Sequence, residues 1–144
     1  MKEQNYSNHK KYVPGYHFIT FSIIFIILIL SVISVFQAVS GKTDLLYPVM
    51  FLLISVSFLS LFLYARAFAL KAQDRAIRAE ENLRHFILTG KPFDPKISIA
   101  QILALRFSAD ADFAELTKKA VSENLNPDDI KRSIKNWKAD NYRV

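Results

Sequence analysis

Histidines and closely spaced carboxylates are the residues of this chain whose types could do chemistry. The histidines are His9, His17 and His85. His9 and His17 stand on either side of Pro14-Gly15 with no third ligand beside them. That falls short of the three or four protein donors of a zinc site. His85 follows Glu81 by four residues, the spacing of a routine surface pair on a helix. The run "DADFAE" at Asp110–Glu115 resembles a calcium loop. It lacks the turn glycine and the closing glutamate such a loop needs, so helix capping is the better account. The chain has no cysteine, which removes thiolate metal sites and thiol nucleophiles. No phosphate-binding glycine loop, nucleophile elbow or H-E-x-x-H helix is present. No acid–base pair stands out from the solvated charges. The expectation is therefore no catalytic residue, no metal, no cofactor and no enzymatic activity.

The elements explain this silence. Aliphatic residues crowd before Ala65, and of the 19 Lys and Arg only Lys2, Lys10, Lys11 and Lys42 precede Arg66. Residues 18–39 and 47–65 form two long apolar runs without a polar stripe. A spanning helix needs roughly 20 such residues, because hydrocarbon about 30 Å thick is crossed at about 1.5 Å per residue. Both runs meet that length, so two transmembrane helices are expected. Residues 40–46 make a short external loop. "AVSG" at Ala38–Gly41 resembles a signal cleavage site. The run before it exceeds the roughly 7–15 residues of a signal sequence, and a second run follows.

Lys and Arg fix an expected orientation. Lys2, Lys10 and Lys11 precede the first run, and Arg66, Lys71, Arg75 and Arg78 follow the second. The loop holds only Lys42 beside Asp44. The positive-inside rule then places both termini in the cytoplasm. Residues 1–17 read as a cytoplasmic or interfacial leader, with a helix break at Pro14-Gly15. Tyr12, Tyr16 and His17 on one span and Tyr64 and Arg66 on the other are expected to anchor the membrane boundary. Ser31, Ser34 and Ala38 share one face of the first span, and Ser57, Ser60 and Tyr64 one face of the second; such small residues allow close helix packing. Gly41 suits the end of the first helix and Thr43 or Asp44 the cap of the next.

Nothing interrupts a helix between Pro48 and Gly90. Residues 66–89 are rich in strong helix formers, and the second span is expected to continue as a stalk helix. An unbroken helix from Pro48 to Thr89 would be about 60 Å long. Lys71–Asp74, Asp74–Arg78 and Glu80–Arg84 are its expected surface pairs. Phe68, Ala72, Ala76, Ala79, Leu83 and Phe86 recur at steps of three or four, which makes one seam that must contact something.

Residues 90–144 read as a small bundle of about three helices. Gly90 and the following prolines break the stalk. Ser98 and Gln101 match a capping box, with Ile99, Ile102, Leu103 and Phe107 as that helix's apolar face. A second helix starts at Ser108 or Asp110 and buries Phe113, Leu116, Ala120, Val121 and Leu125. The third has Asn126 as cap and Pro127 at its first position, with Ile130, Ile134 and Trp137 one turn apart. So small a bundle has a thin core and is expected to lean on the stalk. Lys131, Arg132, Lys135 and Asn136 raise the question of nucleic acid. Residues 66–144 carry 15 basic and 11 acidic side chains, too balanced for the concentrated basic footprint of such a protein.

"KEQNYSNH" at the start, "ALKAQDRAIRAEENLR", "ILALRFSAD" and "IKNWKADNYRV" together resemble a family of short bacterial membrane proteins of unknown function. The resemblance spans essentially the whole chain. It implies a bacterial inner-membrane protein with two spans and a helical cytoplasmic tail, and it supplies no reaction or ligand.

The expected fold is an all-α membrane protein: a two-helix hairpin, a stalk continuing the second span, and a small bundle. The expected role is non-enzymatic, through contacts with lipid and with itself or other membrane-protein subunits. A small homo-oligomeric channel is one alternative. A membrane-tethered binder of nucleic acid or anionic lipid is another.

Overall fold

The computed structural model describes residues 4–9, 11–41 and 44–141. Lys2, Lys10, Lys42 and Thr43, used above for orientation and capping, lie outside them. The described residues are all-helical: a π-helical turn at Gly15–Thr20, then α1 (Phe21–Gly41), α2 (Leu46–Thr89), α3 (Ile99–Leu105), α4 (Asp110–Ser122) and α5 (Pro127–Ser133). They form two compact units, Tyr12–Ala69 and Met1–Lys11 with Leu70–Val144. The unbroken α2 runs through both.

In the first unit, Pro14-Gly15 starts a helix instead of breaking one, because Pro14 sits at the N-cap with helical φ and ψ. Proline is tolerated at a helix entrance, where its missing N–H has no partner to lose. The apolar helix therefore begins at Gly15 and ends at Gly41, 27 residues in all. At its far end the Asp44 carboxylate accepts the Leu46 N–H at 2.8 Å, the capping expected of that residue. Ser31 and Ala38 are buried. Their partner is not Ser57: the Ser31 and Ser55 hydroxyls meet at 3.1 Å, both buried. Ser57 and Ser60 turn outward and donate to the Leu53 and Val56 carbonyls. A serine four residues beyond a carbonyl can satisfy itself within its own helix, so spacing alone did not choose among these serines. Tyr16 stacks on Phe62 with ring centroids 4.1 Å apart, and its hydroxyl donates to the Phe62 carbonyl.

In the second unit, α3, α4 and α5 pack on one another around Ile102, Leu105, Phe107, Phe113, Leu116, Ala120, Ile130 and Ile134. The capping box forms as expected: Ser98 accepts from Gln101 N, and the Gln101 side chain accepts from Ser98 N. Gln101 is itself buried, and its Nε2 donates to the Ala120 and Leu125 carbonyls at the end of α4. That second use turns α3 inward on Gln101, Ile102, Ala104 and Leu105, while Ile99 stays exposed and Leu103 half-buried. The cap of α4 is Ala109, with no side-chain bond. Ser108 forms an isolated backbone bridge with Trp137, and Asp110 turns to Arg84, so neither is free to cap. Asn126 caps α5 through the Asp128 and Asp129 N–H groups, as expected. The helix then stops at Ser133. Ile134 is extended, and Lys138 N–H donates to the Phe107 carbonyl at 2.7 Å. Bridging to the α3–α4 turn displaces the last helical turns, yet Ile134 is buried and Trp137 packs on the core.

Candidate interaction surface

The residues that pack α2 on the bundle come from one side of that helix. Ile77 and Glu81 are each 8% exposed. Arg84 reaches furthest. Its guanidinium bonds Glu81 at 3.0 Å, Asp110 at 2.5 Å and the Ser108 carbonyl at 2.7 Å. It also lies over the Phe113 ring, 4.1 Å from the centroid. The expected Glu80–Arg84 pair is thereby replaced: Arg84 serves Glu81 and Asp110, and Glu80 stands exposed. Nor does His85 pair with Glu81. It stacks on Phe93 at 4.6 Å, and its Nδ1 bonds the Lys91 carbonyl at 2.8 Å. The neighbouring Asn82 Oδ1 accepts the Phe93 N–H at 3.0 Å. Gly90, with φ +72°, makes the turn that brings residues 91–98 back along the stalk; its left-handed backbone is the C′ geometry expected there. The tail thus leans on its own stalk.

The opposite side of α2 carries the seam. At about 100° per residue, Ala72, Ala76, Ala79, Leu83 and Phe86 lie about half a turn away from Ile77 and Glu81. All five are exposed, Leu83 by 59% and Phe86 by 51%. Phe68, in the other unit, is 62% exposed and stacks along its helix on Tyr64. The seam side chains are thus exposed while Ile77, Glu81 and Arg84 hold the bundle, and Ala79 also borders a cleft lined by Phe93, Pro95 and Ile97.

The leader packs against the bundle. His9 lies edge-on to Phe107 at 5.8 Å and beside Trp137 at 5.9 Å. Tyr6 meets Arg132, whose Nε donates to the Tyr6 hydroxyl at 3.3 Å. This bond and the charge beside it raise the Arg132 pKa above the ordinary arginine value. Asp140 N–H donates to Gln4 Oε1 at 2.8 Å. The leader's amides and rings were the available signal, but nothing in their order names Phe107 or Trp137 as the surface they meet. Of the candidate metal residues, His9 is held by these rings and by the Tyr6 carbonyl at 2.6 Å. His17 bonds the Val13 carbonyl at 3.0 Å. Asp110 and Asp112 are occupied by Arg84 and by Asn136 Nδ2 at 2.9 Å. The basic residues 131–135 are mixed with acids, Lys131 standing 3.8 Å from Asp128.

These features define an all-helical protein with two helices long and apolar enough to cross a membrane and a stalk bearing one docked and one bare face. The chain belongs to a family of unknown function (DUF6526), whose model matches residues 1–144. Neither the curated proteins nor the solved structures give a match.

Proposed function

We propose that this chain is a non-enzymatic integral membrane protein of the bacterial inner membrane that works through protein contacts made by its stalk. The observation that carries the reading is the bare seam from Ala72 to Phe86, left open while the chain's own bundle occupies the other side. A monomeric soluble domain rarely leaves so continuous an apolar strip in water.

Membrane insertion rests on the exposure of both apolar helices. Only 6% of each apolar window is buried, whereas a soluble core helix of that composition would be covered. The Ser31–Ser55 and Tyr16–Phe62 contacts pair early residues of one helix with late residues of the other, which suits an antiparallel hairpin. The leader packs with the bundle in one compact unit, which supports both ends lying on one side. The excess of Lys and Arg at those ends supports the cytoplasm as that side. Tyr12, Tyr16, His17, Tyr64 and Arg66 then mark the water boundary. The channel reading ranks lower, because Ser31 and Ser55 satisfy each other and Ser57 and Ser60 satisfy themselves.

The test is the mass of the complex extracted gently from membranes, with its components identified. A complex larger than the monomer that Leu83→Glu dissolves supports the reading. A monomer without a partner, unchanged by that substitution, overturns it.

A further inference from the structure

We propose that the bare face of α2 is covered by the same face of a second copy, paired in parallel and in register from Ala72 to Phe86. The inference rests on the reading that the stalk works through protein contacts, and it names the partner. Ala72, Ala76, Ala79, Leu83 and Phe86 step by four, three, four and three. That is the d–a–d–a–d order of a heptad seam. Leu83 and Phe86 supply the large exposed knobs, and the alanines beside them allow the helices to approach closely. Ile77, Glu81 and Arg84 fall at the outer b and f positions of the same heptads, so these contacts with the bundle lie off the a and d positions. Two copies inserted with the same topology must present α2 in the same direction.

Charge then selects this partner. In that heptad frame Arg75 occupies g and Glu80 the e position of the next heptad. Both are exposed on α2, one on each flank of the seam. In a parallel in-register pair, residue g of one helix faces the following e of its partner. Arg75 of each copy therefore meets Glu80 of the other, giving two symmetric ion pairs. Capture of Arg84 by Glu81 and Asp110 leaves Glu80 for this role.

The absence of cysteine gives a clean background for disulfide trapping of the full chain in its membrane. Ala79→Cys and Leu83→Cys are expected to form self-linked dimers about tenfold faster than Lys71→Cys and Arg78→Cys, which are exposed off the seam, because only seam positions reach disulfide distance. In the Leu83→Cys background, Arg75→Glu and Glu80→Arg are each expected to slow linking about threefold, since exposed ion pairs turn repulsive. The double reversal is expected to restore the rate. Equal linking on and off the seam, or no rescue by the double reversal, overturns the inference. Linking of Leu83→Cys to a chain of different mass, without self-linking, also overturns it but leaves the stalk-contact reading standing. A monomer that links to nothing removes both.

Discussion

Gln101 shows how much one side chain can hold in a small core. Its Oε1 accepts the Ser98 N–H at 2.9 Å, and its Nε2 donates to Leu125 at 2.9 Å and Ala120 at 3.3 Å. Gln101→Leu keeps the bulk and removes all three bonds of this buried side chain, and is expected to destabilise the bundle by about 2 kcal/mol. Hydrogen exchange of α3 and α4 amides in the full chain measures this, and unchanged protection would contradict the assignment. Arg84 and Asp110 make an asymmetric pair. Arg84 is 12% exposed and Asp110 67% by side chain. Arg84→Ala removes two ion pairs, a carbonyl bond and the contact over Phe113 together, and is expected to cost about 2–3 kcal/mol. Asp110→Ala removes one exposed pair and is expected to cost under about 1 kcal/mol. Thermal melting of the two variants orders them, and equal losses would place the strength of the stalk contact elsewhere.

At the scale of elements, the turn at Gly90 decides whether the bundle can fold back on α2. A Cβ at Gly90 meets no atom within 4 Å, so any loss comes from backbone strain alone. Gly90→Ala is expected to lower stability by about 1 kcal/mol, read as a melting shift, whereas Gly90→Asn should lose less because asparagine tolerates the left-handed region. The helices themselves were legible. The apolar runs, the break at Gly90, the Ser98–Gln101 box and the Asn126-Pro127 start each rest on local chemistry that neighbours in sequence supply. What could not be read came from distant partners. Ser108 and Trp137 are far apart in the chain, and their bridge takes Ser108 from its cap and ends α5 early. The choice of Ser55 over Ser57 needed the facing Ser31. The seam was readable from spacing, but its openness became apparent only once the bundle's own side of the stalk was known. Pro14 is ambiguous in the sequence for a local reason, since a proline that ends one helix and one that begins another look alike until the chain direction after it is known.

For the whole molecule, contacts between the leader and the C-terminal segment support the proposal that both ends lie on one side of a membrane. Gln4 accepts from Asp140, and Lys11 reaches the Asn141 carbonyl at 3.5 Å, so the two ends travel together. A chain inserted with one end inside and one outside would have to abandon these contacts and the His9 packing on Phe107 and Trp137. Each is modest alone, and together they couple the leader to the core of the bundle. With no native cysteine, Ser7→Cys and Leu45→Cys report the two sides to an impermeant thiol reagent applied outside intact cells. Leu45→Cys is expected to label and Ser7→Cys to label only after lysis. Labelling of Ser7→Cys in intact cells would reverse the orientation, and labelling of Ser7→Cys but not Leu45→Cys would place the bundle, and with it the seam of α2, outside the cytoplasm.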